Sequence, residues 1–435
     1  MLRASSFTFG IYKINPARSS ITFTYIVEFK FGLRKTFTDK LVFPDVAPEL
    51  WEKIPKDVLA PTLQALLLIL GINYWCVFPT KNIRIAGFTL TREQAQFWDS
   101  LYLNGLGEFF YDMKMDFQDL ISFPSNESKI APEPARFVRP ARALLLNGAG
   151  KDSILSAELL KESGTPFDFF AFAPTPAHKK IGELVGAKTI RVDRHNDPWM
   201  DLVKSFFIVS NSYPSVSTFT FIATLLAEVL GDNSLVFSYA PRADFGNFTY
   251  LGLPVNHQWC KSSEAEKITN DYIQRFITPD ISTSSLLRKY SEIEIVKRFV
   301  RYPQYLHHVT SCNNYFWLPR PMQLLYPTGY WCKRCAKCVF LFACFTAFIP
   351  KKEVVSMFGG NLYTDKNLLP LFKRILGIEG FKPLDCVGEP EEMILAMHYA
   401  KQRGEYDGEL AMQIFEEHFS QSYGFDEIAQ KVFTT

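Results

Sequence analysis

The sequence predicts an α/β protein built on a doubly wound parallel sheet, with an N-terminal α+β domain and a mostly helical C-terminal part. Three observations support this fold class. From Arg142 onward, apolar strand-like segments alternate with helical segments, which is the pattern of a parallel sheet covered by helices on both faces. Earlier segments alternate in the manner of half-buried strands. Beyond Asp271, helical patterns dominate.

Size and composition indicate a globular protein of two or more domains. The chain has 435 residues, 47% hydrophobic and 21% charged, which suits a folded protein with a large core. The net charge of +2 argues against a nucleic-acid partner. We see no signal peptide and no uninterrupted apolar segment of about 20 residues, so we expect a cytoplasmic protein without a membrane partner. Nothing in the sequence predicts an oligomeric state.

Residues 1–130 are predicted to form the α+β domain, and the proline-rich residues 131–141 a linker. The predicted elements are strands at Ser20–Phe29, within Phe31–Phe43 and at Ile72–Phe78, and helices at Pro55–Leu70 and Thr91–Tyr111. The first helix is expected to end at Gly71. The second opens with Thr-Arg-Glu-Gln, which is typical of a capping box.

The central domain, residues 142–270, begins with a strand, a glycine loop and a helix. Ala143–Leu146 has the length of a buried strand, and the small residues Gly148–Gly150 allow a tight turn. A helix is predicted to begin near Asp152 and to stop at Gly164. Backbone N–H groups and the positive end of a helix dipole then meet at one point, which is typical of a phosphate site. An ordinary strand–turn–helix without a ligand is the alternative.

Further alternating elements follow this unit. Strands are predicted at Phe167–Ala173, Lys188–Asp193 and Ser234–Ala240, and helices at His178–Val185, Asp197–Ile208 and Ser217–Leu230. Ligands of such sheets bind outside the carboxyl ends of the strands, so we expect residues 148–153, 174–178 and 239–247 around one crevice. In the C-terminal part, residues 271–435, helices are predicted at 286–301, 361–377 and 389–402, the first as a solvated surface helix.

Four cysteines have the spacing of a metal site. Cys332, Cys335 and Cys338 stand three residues apart, and Cys312 lies twenty residues upstream of them. Four thiolates can bind one structural Zn²⁺ tetrahedrally. The alternative is one cysteine-rich face of a buried helix, because cysteine packs well as a small hydrophobe. The remaining cysteines lack such spacing and are interpreted as structural; they are Cys76, Cys260, Cys344 and Cys386.

The segment Gly148–Ser153 resembles the Ser-Gly-Gly-x-Asp-Ser loop of the N-type ATP pyrophosphatases, the PP-loop superfamily, whose fold is adenine nucleotide alpha hydrolase-like. It is not an ordinary P-loop, because Lys151 is followed by Asp152. The resemblance implies cleavage of ATP between the α and β phosphates to give an adenylated intermediate. Gly148 replaces the serine of that pattern and Ala149 its first glycine, so one hydroxyl contact to phosphate is absent.

Several segments in consistent order resemble one family, the ATP-dependent UDP-N-acetylmuramoyl-L-alanyl-L-glutamate epimerases. They are LYLNGLGEFFY at 101–111, GKDS at 150–153, VNHQWCKSSEAE at 255–266, SCNNYF at 311–316, WCKRCAKC at 331–338, FGGNL at 358–362 and DCVG at 385–388. The resemblance implies an isomerase of peptidoglycan precursor synthesis. It would convert the terminal L-glutamate of UDP-MurNAc-L-Ala-L-Glu to D-glutamate, using ATP and Mg²⁺ and releasing AMP and diphosphate.

This chemistry explains why an epimerase would use ATP. Removing the Cα proton next to an ionised carboxylate would accumulate negative charge. Adenylation of the carboxylate removes that charge and makes the proton more acidic, so that an ordinary base can remove it.

The resemblance of the loop implies nucleotide-binding residues, and the other site residues are chosen for their chemistry and their position near the predicted crevice. We expect nucleotide binding by the loop residues Gly148, Ala149, Gly150, Lys151, Asp152 and Ser153. Catalytic roles are expected for Lys151 on phosphate charge, Asp152 on Mg²⁺ and His257 in proton transfer. Candidate substrate ligands are Arg242, Asn247, Asn256, His257, Lys261 and Arg288.

Two other interpretations stay open. One is another adenylating PP-loop enzyme, either an amide ligase or an enzyme like 7-cyano-7-deazaguanine synthase, whose branch has a similar one-plus-three cysteine arrangement. Such an enzyme would consume ammonia or an amine. The other is a zinc-stabilised binding module with a degenerate nucleotide loop, against which the small net charge argues.

Overall fold

The computed structural model describes residues 4–206, 212–419 and 424–433. The strands are β1 Ala4–Asn15, β2 Ser20–Phe29, β3 Arg34–Val42, β4 Ile83–Ile85, β5 Ala143–Leu146, β6 Phe167–Phe172, β7 Thr189–His195, β8 Ser234–Phe237, β9 Phe248–Tyr250, β10 Leu253–Val255 and β11 Ser282–Ser285. The helices are α1 Pro48–Glu52, α2 Lys56–Trp75, α3 Arg92–Gly105, α4 Gly107–Asp112, α5 Lys151–Glu162, α6 Pro176–Val185, α7 Pro198–Phe206, α8 Ser215–Leu230, α9 Ser263–Phe276, α10 Glu292–Phe299, α11 Asn313–Phe316, α12 Arg320–Leu325, α13 Ala336–Thr346, α14 Lys351–Phe358, α15 Leu369–Ile375, α16 Pro390–Gln402, α17 Leu410–His418 and α18 Phe425–Phe433.

One nine-stranded sheet runs in the order β11-β8-β5-β6-β7-β3-β2-β1-β4. The five strands from β11 to β7 run parallel to one another. Counted along the chain, these five have the spatial order three-two-one-four-five, with the winding reversed between β5 and β8. In doubly wound sheets, ligands bind at the carboxyl ends of the strands at such a switch point. The predicted α/β architecture, with a mostly parallel sheet and a helical C-terminal part, is confirmed.

Helices cover both faces of the parallel strands because side chains alternate between two hydrophobic cores. Leu144 of β5 packs into a core with α2 and α8. Leu145, which points to the opposite face, packs into a second core with α5, α6 and the C-terminal helices. Glu228 of α8 lies on the same side of the sheet as the first core, close to Thr62 of α2. It is only 4% exposed.

The N-terminal strands join the central sheet directly. β3 pairs antiparallel with β7, with Leu41 opposite Arg194. The fully buried Asp39 of β3 accepts hydrogen bonds from the Arg194 guanidinium, with Nε 3.1 Å from Oδ1. Strands on both sides of residues 131–141 therefore belong to one sheet, and the division into domains at that segment stays a prediction.

The predicted helix end at Gly71 and the predicted strand at Ile72–Phe78 are wrong, because α2 continues to Trp75. A Cβ at Gly71 would lie 2.4 Å from the ring of Phe9 and 2.7 Å from that of Tyr25. The glycine therefore allows close packing of the helix on β1 and β2 rather than ending the helix. Among the described helices, α2 alone is long and apolar enough to cross a membrane, but 83% of its most apolar window is buried inside the protein.

Most other predicted elements are confirmed with small changes of boundary. Thr91 and Gln94 form the predicted capping box, but the helix breaks at Leu106 into α3 and α4. The predicted helix Asp197–Ile208 is α7, and its last two residues lie outside the described ranges. The predicted helix 286–301 is limited to α10, and β11 was not predicted. In the segment 361–377 only α15 is α-helical, whereas 389–402 is confirmed as α16.

Candidate active site

The loop after β5 is held in shape by its own side chains. Ala149 is buried and adopts a left-handed conformation, with φ of +54°, which few residues other than glycine adopt. The Asn147 side chain stabilises this turn, since its Oδ1 accepts a hydrogen bond from the Ala149 amide at 2.9 Å and its Nδ2 donates to the His178 carbonyl at 3.0 Å. The Thr310 amide donates to the Ala149 carbonyl at 3.1 Å. The shape of the turn is therefore fixed by hydrogen bonds within the protein.

The start of α5 has the features of an anion site. Gly150 precedes the helix, and no side chain caps the helix N-terminus. A Cβ at Gly150 would lie 2.7 Å from Oγ of Ser311, so only glycine leaves room here. The Ser311 hydroxyl is buried without a hydrogen-bond partner among the described residues and lines the same cavity. A phosphate oxygen fits this combination of free helix amides and an unpaired hydroxyl.

A cavity of about 400 Å³ opens at the carboxyl ends of β5 and β8, at the switch point of the sheet. The predicted site residues that line it are Gly148, Gly150, Asp152, Ser153, Arg242 and Lys261. Other residues that carry polar side chains in its wall are Ser215, Ser238, Tyr239, Gln258, Glu292, Ser311, Asn313, Lys337 and Cys386. The segment 174–178, expected at the same crevice, contributes Pro174, Thr175 and Pro176 to a separate cavity.

Lys151 is a buried cation held between two carboxylates. Its Nζ lies 2.8 Å from Oε2 of Glu292 and also contacts the carboxylate of Asp152. Burial lowers the pKa of the Lys151 ammonium, but the two carboxylates outweigh burial, so the pKa is raised and the group stays charged. Because Asp152 and Glu292 approach one cation together at the cavity wall, their oxygens also suit Mg²⁺.

A second cationic group borders the first cavity. The Arg242 guanidinium is buried, donates to the Phe245 carbonyl at 3.1 Å and pairs with Glu389. Nζ of Lys382 lies 3.3 Å from the same glutamate. Burial, followed by the nearby Arg242 cation, lowers the pKa of Lys382 to about 8, although Glu389 opposes this. Three cations, Lys151, Arg242 and Lys382, thus lie near a cavity suited to a polyanion.

A second cavity of about 710 Å³ adjoins the first. The two share Ser215, Val216, Lys261, Asn313 and Cys386 in their walls. Its other polar lining includes Glu108, Asn256, His257, Cys260, Asn314 and Asp385. A ligand bound across the two cavities would therefore pass the shared residues.

The predicted proton-transfer residue His257 lies in the second cavity, paired with a residue that the sequence did not suggest. Its Nδ1 lies 2.6 Å from Oε2 of Glu108, which α4 positions. Burial lowers the pKa of His257, but Cys386 and Glu108 raise it to about 10 overall. His257 is therefore an imidazolium at neutral pH, which can donate a proton or stabilise negative charge but cannot accept a proton.

The remaining predicted substrate ligands have different positions. Asn256 lines the second cavity, and its Nδ2 donates to the Ala243 carbonyl at 2.7 Å. Asn247 lines neither cavity; its Oδ1 accepts from the His257 amide at 3.0 Å and so supports the loop. Arg288 also lines neither, and its Nη2 lies 2.7 Å from Oε2 of Glu266. The structure brings together the loop, Arg242, Lys261, Asn256 and His257.

Several residues of the two cavities were not assigned to the site from the sequence, and four of them bear on its chemistry. Glu292 was interpreted as part of a solvated surface helix, but α10 packs on α5 and turns it toward Lys151. Cys386 was interpreted as structural. Glu108 and Ser311 lie inside segments that carried the family resemblance, which was the one available signal. Each comes from a part of the chain far from the loop.

The four predicted metal-ligating cysteines lie together. Their sulfur atoms are all within 4.8 Å of one another, with Cys312 Sγ 4.0 Å from Cys335 Sγ and Cys332 Sγ 3.7 Å from Cys338 Sγ. A tetrahedral Zn²⁺ site with Zn–S bonds of about 2.3 Å places its sulfurs about 3.8 Å apart. The cluster can therefore hold a structural metal. Because Cys335 begins α13 and lines the second cavity, the cluster also fixes that wall.

Comparison with known proteins gives consistent matches along the chain. Residues 2–286 match the family described as the MurL N-terminal domain, and residues 308–428 match the MurL C-terminal domain. A UDP-N-acetyl-alpha-D-muramoyl-L-alanyl-L-glutamate epimerase of Xanthomonas oryzae pv. oryzae is 31% identical over 353 residues, covering 81% of this chain and 77% of that protein. Epimerases of the same name from Micromonospora sp. and Salinispora tropica are 29% and 27% identical, each over 91% of this chain and over 86% and 84% of their own lengths.

Proposed function

The chain belongs to the MurL family of UDP-N-acetyl-alpha-D-muramoyl-L-alanyl-L-glutamate epimerases, and we propose that it inverts the terminal L-glutamate of UDP-MurNAc-L-Ala-L-Glu at the expense of ATP. The observation that carries the proposal is a phosphate-type loop beside a second cavity lined by titratable groups. The substrate is a soluble nucleotide-linked precursor of peptidoglycan, so the reaction is assigned to the cytoplasm.

The central sheet is assigned, within this proposal, to the PP-loop fold, and the first cavity to ATP. The strand order, the position of the loop at the switch point and the free amides of α5 support this assignment. The unpaired hydroxyl of Ser311 and the cation of Arg242 line this cavity and suit phosphate oxygens. The buried cation of Lys151 contacts Asp152 and Glu292, which line the same cavity. Asp152 and Glu292 would hold Mg²⁺, which neutralises phosphate charge when bound.

The carboxylate to be adenylated must enter the first cavity, while the rest of the dipeptide occupies the second. Lys261 stands where the two cavities meet and can bind the negative charge of the reacting group. His257 is assigned to the proton-transfer machinery as an imidazolium, since Glu108 keeps the ring protonated. Another group must then accept the Cα proton. A glutamate activated as an acyl adenylate gives up this proton more readily than the free carboxylate.

The cysteine cluster is assigned to one structural Zn²⁺, because four thiolates are typical zinc ligands and the sulfur spacing suits a tetrahedron. The metal would connect the segment at Cys312 to the start of α13. In this role it stabilises the wall of the second cavity and takes no part in the reaction.

The direct test is incubation of the purified protein with ATP, Mg²⁺ and UDP-MurNAc-L-Ala-L-Glu, followed by acid hydrolysis and chiral analysis of glutamate. We expect D-glutamate together with AMP and diphosphate, and no requirement for ammonia. The variant Lys151→Met should form none of these three products, because it lacks the buried cation beside the loop.

Other results would support the alternatives. Cleavage of ATP with L-glutamate fully retained would indicate an amide ligase or a 7-cyano-7-deazaguanine synthase-like enzyme. Absence of ATP cleavage with any of these substrates would indicate a binding module with a degenerate loop.

A further inference from the structure

The wall shared by the two cavities contains one thiol with two cationic neighbours. Sγ of Cys386 lies 3.2 Å from Nζ of Lys261. The side chain of His257 also interacts with this thiol, on the side of the second cavity. The backbone at Cys386 is fixed, since its amide donates to Oδ1 of Asp385 at 2.7 Å and Asn313 donates to the same oxygen. The thiol is therefore held at the junction of the cavities.

This environment stabilises a thiolate. Burial raises the pKa of Cys386, but the ammonium of Lys261 and the hydrogen bond from His257 outweigh burial, and the pKa is lowered to about 6. Lys337, which lines the first cavity, acts in the same direction. Cys260, which also lines the second cavity, has a pKa raised mainly by burial and stays protonated. Cys335, the third thiol of that cavity, belongs to the cysteine cluster, so of Cys260 and Cys386 only Cys386 is a base at neutral pH.

The position of the reacting carbon singles out the shared wall. If the activated carboxylate faces the nucleotide in the first cavity and the peptide occupies the second, the adjacent Cα lies between them. The residues of both walls are Ser215, Val216, Lys261, Asn313 and Cys386. Serine and asparagine side chains are not bases at neutral pH, and valine has no titratable group. Burial lowers the pKa of Lys261, but the neighbouring Cys386 and the other negative groups outweigh burial, so the pKa is raised and the ammonium stays protonated.

We propose that Cys386 removes the Cα proton of the activated glutamate, a role that rests on the adenylating epimerase function proposed above. The Cα–H bond breaks, the proton forms a bond to Sγ, and the electron pair passes into the activated acyl group. A proton from water then bonds to the opposite face of Cα. The hydroxide left by that water accepts the proton of the Cys386 thiol, which restores the thiolate. A further water hydrolyses the acyl adenylate, which releases AMP and the free carboxylate. In addition to the roles proposed above, Lys261 and His257 keep this sulfur ionised.

The test separates activation from proton removal. Wild-type protein and the variants Cys386→Ala and Cys386→Ser are assayed, with metal content verified, in D₂O with ATP, Mg²⁺ and UDP-MurNAc-L-Ala-L-Glu. One readout is substrate-dependent exchange of labelled diphosphate into ATP, and the other is deuterium at Cα by mass spectrometry. We expect both variants to keep diphosphate exchange within about fivefold of wild type. Deuterium incorporation and D-glutamate formation should fall at least about 100-fold, the usual range for loss of a general base.

The possible failures are distinguishable. Full deuterium incorporation by Cys386→Ala would overturn the role of Cys386 and leave the epimerase function intact. Absence of substrate-dependent diphosphate exchange in the wild-type protein would overturn the proposed function itself. The matched control is Cys76→Ala, a buried thiol at the end of α2 that lines neither cavity, which should keep both readouts.

A second measurement does not depend on activity. Alkylation of Cys386 by iodoacetamide, followed by peptide mass spectrometry, should have a midpoint near pH 6 in the wild-type protein. In Lys261→Met, which removes the nearest cation, the midpoint should move upward by at least one pH unit. A midpoint near pH 9 in the wild-type protein would contradict the proposed thiolate.

Discussion

The buried carboxyl group of Glu228 predicts a stability that falls as the pH rises. Glu228 lies between α2 and α8 and is 4% exposed. Burial raises its pKa from 4.5 to about 8, and the opposing effects of the Thr62 hydroxyl and the Arg139 cation are smaller. The folded protein therefore keeps this proton at pH values where the unfolded chain has lost it.

The sign and size of the effect follow from the two pKa values. Below pH 4.5 the carboxyl group is neutral in both states, so its titration does not change the free energy of unfolding. Between pH 4.5 and about 8 the free energy of unfolding falls by about 1.4 kcal/mol per pH unit, and above pH 8 the loss is complete. Between pH 5 and 7 the free energy of unfolding should fall by at most about 3 kcal/mol.

The substitution Glu228→Gln removes the titration and keeps the size of the side chain. We expect its free energy of unfolding, measured by urea denaturation, to exceed that of the wild type by an amount that grows from pH 5 to pH 8. The exposed Glu127 provides a matched control, because Glu127→Gln should leave the pH dependence unchanged. Parallel pH profiles for wild type and Glu228→Gln would refute the reasoning.

Three further substitutions test the loop, the metal cluster and the N-terminal packing. Gly150→Ala should weaken ATP binding at least tenfold in calorimetry, because the added methyl group collides with the buried Ser311 hydroxyl. In the control Gly148→Ala, the methyl group meets nothing within 4 Å, so ATP binding should weaken less. The wild-type protein should contain about one zinc per chain, and Cys335→Ser should lower both the zinc content and the melting temperature. The control Cys344→Ser lies outside the cluster and should leave the zinc content unchanged. Gly71→Ala should lower the free energy of unfolding by about 1–3 kcal/mol, because the aromatic rings of β1 and β2 leave no space for a methyl group. An unchanged free energy of unfolding would contradict this close packing of α2 on the two strands.

Features encoded within short segments were predictable from the sequence. The strand Ala143–Leu146, the glycine turn and the helix after it form one local unit, and each boundary signal lies within a few residues of the element it marks. The capping box at Thr91 is equally local. The cysteine cluster was predictable because three of its four ligands lie within seven residues.

Features that depend on tertiary packing were not predictable. Gly71 looks like a helix end unless the aromatic rings of β1 and β2 are known to lie against it. The strand Ser282–Ser285 has no apolar residue, and its pairing with β8 alone defines it. Glu108 and His257 are 149 positions apart in sequence, and no pattern along the chain joins them. The cationic surroundings of Cys386 have the same origin, since its partner Lys261 is 125 positions away.

The pairing of β3 with β7 means that neither strand is a free edge in the intact protein. A chain cut between them, within residues 131–141, would leave one unpaired edge on each fragment, and such edges recruit other strands. Each fragment produced alone is therefore prone to aggregate. Produced together, the same two edges are complementary, so the cut protein is a natural candidate for reassembly from two separately encoded halves.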